Sequence, residues 1–372
     1  MSVRESLALT EDQHALQESV RDVLKEQLSS DSLLTSLGNS GGFSPELHAR
    51  LIGELGLAGL GIPAEFGGRG LSQVEASVVH SELGRALYPG PLLATHLAAA
   101  AVLAAQDQQA REHWLPLLAS GSVTGTVAAA DEAGHWSAGP DSVKAEHATG
   151  GWRLYGRRWF VMAAQVASLV VVPAVTDSGL AMFLAEAGCR GLTGSRQLSL
   201  DLTRRISILT FDAAPAVLLG KAAGPALARI EHEFLLATAA EAAGGIGWCL
   251  DASIAYAQDR EQSDDPPDSF QAVAQSCVGM LSSLESISAA ARYAAAVTAD
   301  GAAEAPMAAR VAALRAGESY RSVTESAVHL LGGLDAAREH DVQLYYRRAW
   351  SADRLAGGPQ AHRAAITELA DR

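Results

Sequence analysis

Residues 256–273 read YAQDREQSDDPPDSFQAV and lie between two long alanine-rich patterns with helical spacing. Pro266 and Pro267 end the first pattern, because each lacks an N–H group and excludes its predecessor from the helical region. Asp268 or Ser269 then supplies a side-chain oxygen that can cap the second helix. The stretch therefore predicts a helical hairpin with a polar corner, joining helices at 222–261 and 268–299.

The corner of this hairpin combines a fixed cation, amide groups and an aromatic face. These groups belong to Arg260, Gln262, Phe270 and Gln271. Such a set suits a phosphate together with a flat ring. A solvated loop between two helices is the alternative interpretation of the same residues.

The same stretch resembles the YAxxRxQFGxPIxxFQA signature of the acyl-CoA dehydrogenase family. The resemblance implies that Arg260, Gln262, Phe270 and Gln271 contact the FAD of a neighbouring subunit. Ser263 stands where the family has Phe, and the two aspartates that follow replace Gly and an often basic residue. These departures remove an aromatic contact and add two carboxylates near the implied cofactor.

A second match covers residues 54–87, ELGLAGLGIPAEFGGRGLSQVEASVVHSELGRAL. It resembles the family's IPxxFGGxG turn between two helices, the second of which ends in ELGR. Glu82 and Arg85 have the (i, i+3) spacing of an ion pair on one helix. The segment supports the fold rather than the chemistry.

The third match is SAVHLLGGLDAAREHDVQLYYRRAW at residues 326–350. It resembles QxxGGxGxxxEHxxxxxxRxA, and the family's turn here holds the adenosine half of FAD. The resemblance therefore implies that Gly332 and Gly333 bind the cofactor, through backbone amides that no side chain obstructs. We interpret Arg347 and Arg348 as salt-bridge residues of a helical bundle rather than ligands.

Between residues 122 and 212 the apolar pattern changes to short alternating runs separated by Gly and Asp-Ser-Gly turns, which predicts a β-barrel or sandwich. The chain is thus expected to be α+β and mainly α. We place an N-terminal helical domain at residues 1–120, the β domain at 121–220 and a C-terminal four-helix bundle at 221–372.

Within the β region, GRRWFVM resembles the family's flavin-facing GxKxW[IV][ST] motif. Phe160, Val161 and Met162 occupy its last positions, and an aromatic ring at 160 can pack on an isoalloxazine. The resemblance implies cofactor contacts for all three. The alternative is that they are ordinary strand residues of a core.

The family's reaction is α,β-desaturation of an acyl thioester, which needs a carboxylate base. Alignment puts the two usual base positions at Phe234 and Ala356, and neither is acidic. Glu241 lies two helical turns after Phe234, and Asp353 lies one turn before Ala356. We name Glu241 as the candidate base, with a carboxylate paired to a basic side chain as the alternative.

Arg204 and Arg205 form a basic pair in SLDLTRRISILTFD (residues 199–212). Either they face an acidic ligand or they pair with Asp201 or Asp212; we favour the pairing.

Composition makes several functional classes of protein less probable. The chain has 372 residues, 48% of them hydrophobic, and a formal net charge of −14 without a basic cluster, which disfavours nucleic-acid binding. No apolar run reaches membrane-spanning length and no signal peptide is visible. The three scattered cysteines indicate a reducing cytoplasm, and no metal site is expected.

The resemblance implies an FAD-dependent acyl-CoA dehydrogenase-like oxidoreductase acting on an acyl-CoA or acyl-carrier-protein thioester. It further implies a homo-oligomer, or a hetero-oligomer in which another acyl-CoA dehydrogenase-like chain supplies the base. Two alternatives remain: a flavin-dependent monooxygenase-type enzyme on the same scaffold, and a non-catalytic structural subunit.

Overall fold

The computed structural model describes residues 8–105, 107–136, 143–221, 223–261, 267–331 and 336–371. Its N-terminal part is helical, as the sequence predicts. The helices there are α1 (Glu11–Gln27), α2 (Ser30–Gly38), α3 (Pro45–Gly53), α4 (Gln73–Arg85), α5 (Leu92–Ala104) and α6 (Gln108–Ala119).

The N-terminal helices begin at polar caps. The Thr10 hydroxyl accepts a hydrogen bond from the Gln13 backbone, and Ser44 caps α3 ahead of Pro45 at the first helical position. Such caps satisfy N–H groups that have no partner inside the helix. They fix where α1 and α3 start.

The middle part is a single sheet. Its strands are β1 (Gly125–Val127), β2 (Lys144–Ala148), β3 (Gly151–Met162), β4 (Leu169–Thr176), β5 (Gly179–Glu186), β6 (Leu192–Arg196) and β7 (Ile206–Gly220). Pairing runs from β4 through β2, β3, β7 and β5 back to β4, so the sheet closes on itself. Of the two β architectures that the sequence allowed, the barrel is the one formed.

The C-terminal part returns to helices, with bounds close to those predicted for the hairpin. They are α7 (Ala223–Glu261), α8 (Pro267–Ala299), α9 (Ala305–Leu331), α10 (Ala336–Leu355) and α11 (Gly358–Ala370). Alanines buried between α7, α8 and α9 let these helices approach closely. No helix in the described ranges is both long enough and apolar enough to cross a membrane.

Two glycines bring α4 against α7. A Cβ atom at Gly84 would overlap the backbone oxygen of Glu241, and one at Gly244 would overlap that of Ser81. Backbone therefore touches backbone at this crossing, which only glycine permits.

The predicted pairing of Glu82 with Arg85 is wrong. Glu82 accepts from Arg21 of α1 at 2.7 Å, and Arg85 pairs with Asp251 of α7. Each of the two side chains pairs with a residue of a neighbouring helix. These ion pairs connect α4 to α1 and α7 and do not stabilise α4 by itself.

Candidate functional site

A cleft of about 330 Å³ opens where the barrel meets α7, α10 and the start of α11. Its walls are mainly apolar and aromatic. They include Ala130, Gly134, Trp136, Phe160, Met162, Ile206, Phe234, Ser351, Arg354, Leu355 and Gly357.

The end of β3 supplies one wall through an irregularity in the strand. The register between β3 and β7 shifts between Arg158 and Val161, and Phe160 has a φ of 54°. A positive φ is uncommon for a bulky residue, so the surrounding structure must stabilise this conformation of Phe160. It is held by a hydrogen bond from the Phe160 backbone N–H to Gln197 Oε1 at 3.1 Å.

The three candidate cofactor contacts on β3 divide between cleft and core. Phe160 and Met162 line the cleft. Val161 is buried in the barrel core at 1% exposure, because alternate side chains of a strand point to opposite faces. The Val161 side chain therefore agrees with the core interpretation, while cofactor contacts of Phe160 and Met162 remain predictions.

Trp136 and Phe234 form another part of the wall. Their rings stack with centroids 5.3 Å apart and planes 15° from parallel, and Phe234 is 2% exposed. One of the two expected base positions is therefore filled by a ring stack. The other, Ala356, sits between the lining residues Leu355 and Gly357. Among the described lining residues there is no carboxylate.

Glu241 lies elsewhere on α7, buried within ion pairs. Its carboxylate accepts from the Arg204 guanidinium and lies 3.8 Å from Arg348 Nη1. Burial alone would raise the pKa of this carboxyl, but the two arginines together hold it below its ordinary value. Glu241 lines a separate crevice of about 30 Å³, which shares Met162 with the cleft.

The arginines of residues 199–212 pair differently from the sequence expectation. Arg204 pairs with Glu241 and not with Asp201 or Asp212. Arg205 donates to backbone carbonyls of the α2 end, including that of Leu37 at 2.9 Å. The loop after β6 folds back onto α7 and α2. This long-range contact determines the partners of both Arg204 and Arg205.

Arg348 is a buried ion-pair residue, as interpreted from the sequence. Its Nε donates to Asp201 at 2.7 Å and its Nη2 to Thr203 Oγ1 at 2.6 Å. These two partners come from the barrel loop, while Glu241 of α7, 3.8 Å from Nη1, belongs to the bundle. This pair therefore joins two parts of the fold.

Asp353, the second acidic candidate, is also paired. It accepts from Arg321 Nη1 at 2.8 Å and is 5% exposed. Burial raises the pKa of its carboxyl despite the nearby Arg321. It does not line the cleft, because it points from α10 toward α9.

Most of the sequence-based FAD contacts are not among the described positions. The side chains of Arg260 and Phe270, and residues Gln262, Gly332 and Gly333, lie outside the described part of the chain. Gln271 is described and is exposed near the start of α8. The cofactor assignments at these positions remain predictions.

Sequence reasoning missed Trp136, Ser351 and Arg354 as cleft residues. Trp136 falls in VAAADEAGHWSAGPD, the stretch that stands where the family carries TEPxxGSD, and this placement was the one available signal. Arg354 places a cation at the cleft edge. The other two gave no pattern of their own.

The described walls fit the flat ring of FAD. Phe160 offers an aromatic face, Met162 and Ile206 add apolar surface, and Arg354 offers positive charge at the edge. The volume lies in the usual range for ligand pockets, about 300–1,000 Å³. These features suit the ring that the sequence resemblance implied.

Comparisons with known proteins agree over nearly the whole chain. Residues 10–122 match the profile "Acyl-CoA dehydrogenase, N-terminal domain", and residues 229–369 match "Acyl-CoA dehydrogenase, C-terminal domain". The chain is 30% identical to acyl-CoA dehydrogenase IpdE2 of Mycolicibacterium smegmatis, covering 95% of this chain and 96% of that protein. It is 31% identical to acyl-CoA dehydrogenase FadE34 of Mycobacterium tuberculosis, over 86% of this chain and 41% of that protein.

Solved structures give the same result. The Tcur3481-Tcur3483 steroid ACAD superposes with a TM-score of 0.85 at 27% identity, covering 97% of this chain and 98% of that one. The ChsE4-ChsE5 complex from Mycobacterium tuberculosis gives 0.87 at 26% identity, covering 98% and 99%. The chain therefore belongs to the acyl-CoA dehydrogenase family of FAD-dependent oxidoreductases.

Proposed function

We propose that this chain is the partner subunit of a heteromeric acyl-CoA dehydrogenase, and that the α-proton base comes from the other subunit. The observation that carries the proposal is the cleft wall. Phe234 and Ala356 occupy the two positions where the resemblance calls for a carboxylate, and no described lining residue is acidic.

Desaturation of an acyl thioester removes a proton from the α carbon and a hydride from the β carbon. FAD, when bound, accepts the hydride. The chain's own contribution is to position and enclose. Phe160 and Met162 form a face for the flat ring, and the Trp136–Phe234 stack adds an aromatic wall that excludes water. Arg260, Gln262, Phe270, Gln271, Gly332 and Gly333 are proposed to hold the rest of the cofactor.

Two similar structures support a heteromeric assembly. They are the ChsE4-ChsE5 complex and the Tcur3481-Tcur3483 steroid ACAD, each named for two chains. We propose by analogy a second acyl-CoA dehydrogenase-like chain as the partner and an acyl-CoA thioester as the substrate.

The alternative within the same reaction class makes Glu241 the base. Its ion pairs with Arg204 and Arg348 lower the pKa of the carboxyl, and a lowered pKa weakens a general base. Both pairs are made by Oε2 of the carboxylate. These contacts favour a structural carboxylate and a base from outside the chain.

The experiment is co-expression of the tagged chain with each acyl-CoA dehydrogenase-like chain of its source organism. Native mass spectrometry of the purified material identifies a stoichiometric complex and its FAD content. Dye-linked desaturation is then assayed with a panel of acyl-CoA thioesters. We expect activity only in a hetero-complex, and expect loss of activity when the partner's own acidic residue is changed to its amide.

The tagged chain expressed alone is the matched control. A homo-oligomer that carries FAD and desaturates acyl-CoA at the rate of the hetero-complex would contradict the proposal.

A further inference from the structure

The connection between β6 and β7, residues 197–205, exposes three leucines. Leu198, Leu200 and Leu202 are 101%, 58% and 42% exposed. They are three of the nine large apolar side chains exposed in the described ranges, and they fall within five consecutive residues. Apolar surface grouped in this way on a soluble chain is characteristic of a contact with another molecule. We call these three side chains the leucine ridge.

The polar residues between the leucines hold the segment in place. The Asp201 backbone N–H donates to Ser199 Oγ at 3.2 Å, and that of Thr203 donates to Asp201 Oδ1 at 2.8 Å. Asp201 and Thr203 are each 1% exposed and both accept from the buried Arg348 of α10. The polar side chains of the segment therefore point inward and the leucines outward, which reverses the usual arrangement at a surface. Because the backbone is already anchored, little conformational entropy is lost when a partner covers the ridge.

The ridge begins at the rim of the cleft. Gln197, which precedes Leu198, donates its backbone N–H to the Ile206 carbonyl at 3.0 Å. Its side-chain Oε1 accepts from the Phe160 backbone N–H. Ile206 and Phe160 both line the cleft. A chain seated on the ridge would therefore lie beside the cleft, whose described walls carry no carboxylate.

Two cations flank the ridge without a carboxylate partner in the described part of the chain. Arg196 is exposed just before Leu198, and Arg205 donates to backbone carbonyls at the end of α2. Burial and the nearby charge of Arg196 lower the pKa of Arg205. In a symmetric dimer the same patch of both copies meets, which would bring these cations together. The charges therefore favour a different chain that offers negative charge here.

We propose that the leucine ridge docks the second acyl-CoA dehydrogenase-like chain, in an apolar groove of that chain bordered by carboxylates. The inference rests on the heteromeric assembly proposed above and assigns it a surface. It also brings the partner to the cleft rim, where the base is missing.

The test uses the hetero-complex obtained by co-expression. Leu198→Ser/Leu200→Ser removes the two most exposed leucines. Native mass spectrometry of a dilution series gives the dissociation constant. We expect the double variant to bind about a hundredfold more weakly, because the burial of two leucine side chains is lost. Both side chains lie in solvent, so thermal unfolding of the variant expressed alone should match that of the parent chain.

Val217→Ser is the matched control. Val217 is 62% exposed and lies near the end of β7 that is opposite Ile206. Its replacement should leave the dissociation constant within about threefold of the parent value, since it lies away from the ridge. Arg196→Glu should weaken the complex about tenfold, and more at low salt, whereas Arg196→Lys keeps the charge and most of the affinity.

The outcomes separate the ridge from the function proposed for the cleft. A leucine variant that binds as tightly as the parent, or a Val217→Ser variant that binds as weakly as the leucine variant, would overturn the ridge and leave the heteromeric function standing. Absence of any hetero-complex with the parent chain would overturn both. A homo-oligomer that dissociates in the leucine variant would assign the ridge to a second copy and overturn the proposed occupant. Unchanged affinity in Arg196→Glu would overturn the carboxylate border.

Discussion

The cleft and the ion-pair cluster formed by Glu241, Arg204 and Arg348 lie at different points along α7. The cleft wall is mainly apolar, whereas the cluster is charged. At Phe234, α7 contributes a stacked ring to a mainly apolar wall without a described carboxylate. Two turns on, at Glu241, it contributes a carboxylate surrounded by Arg204 and Arg348. An acidic residue on α7 is thus present where it joins the barrel to the bundle and absent where the reaction would use it. The position of a carboxylate, more than its presence, determines what it can do.

The largest effect is expected from breaking the buried pair. Arg348→Met leaves the Asp201 carboxylate, whose side chain is 0% exposed, without its cation. An uncompensated buried charge costs about 3–5 kcal/mol in unfolding free energy. Urea denaturation followed by circular dichroism measures the loss.

The exposed pair of Arg50 and Glu54 provides the matched control. Arg50→Met should cost no more than about 1 kcal/mol, because exposed pairs are screened by water. If Arg348→Met costs as little as Arg50→Met, the cluster does not hold the barrel to the bundle.

Glu241→Gln separates the structural interpretation from the catalytic one. Loss of charge-assisted hydrogen bonds is expected to cost about 1.5–3 kcal/mol of stability. The desaturation rate of the assembled complex should remain within about threefold of the parent, since under our proposal no proton moves to this residue. A hundredfold loss of rate in a stable, FAD-loaded complex would make Glu241 the base.

The pH dependence of Glu241 sharpens the same comparison. Because the folded-state pKa lies below the ordinary value of 4.5, the carboxylate contributes its full stability above about pH 4.5. That contribution is lost as pH falls through the lower folded-state pKa. The stability of Glu241→Gln should therefore fall less steeply than that of the parent chain below pH 4.5, as measured by urea denaturation at a series of pH values.

A smaller effect is expected at the helix crossing that carries both regions. Gly84→Ala places a methyl group against the Glu241 backbone and should destabilise the chain by about 1–3 kcal/mol. Gly53→Ala, where no atom lies within 4 Å of the added carbon, should be neutral or stabilising. Thermal unfolding of the two variants gives the difference.

The smallest effect concerns the cleft wall. A double-mutant cycle with Trp136→Leu and Phe234→Leu should give a coupling of about 0.5–1.5 kcal/mol, the usual value for an aromatic pair. A coupling near zero would mean that the rings are adjacent without stabilising each other.

The sequence predicted the helical parts well because their signals are local. Ser44 and Pro45 begin α3, and the bounds predicted for the two hairpin helices lie close to those of α7 and α8. It could not choose between barrel and sandwich, since closure depends on β4 pairing with both β2 and β5. Such pairings join residues that are distant along the chain, and they produce no periodic pattern in the sequence.

Prediction of the site was uneven for the same reason. The motif around Phe160 pointed to residues that the structure places at the cleft and, for Val161, in the barrel core, and their cofactor contacts remain predictions. The partners of Glu82 and Arg204 were missed, since each lies on a separate element brought near by packing. The Trp136–Phe234 stack likewise depends on tertiary contact alone.

The crossing of α4 and α7 limits how the cleft and the crevice beside Glu241 can move. At Gly84 and Gly244 no side-chain layer separates the helices, so no rotamer change can take up a displacement there. A shift of α7 on assembly or ligand binding must then carry α4 with it. Glu241 lies at this contact and Phe234 two turns before it, so the crevice beside Glu241 and the cleft wall are both coupled to the position of α4.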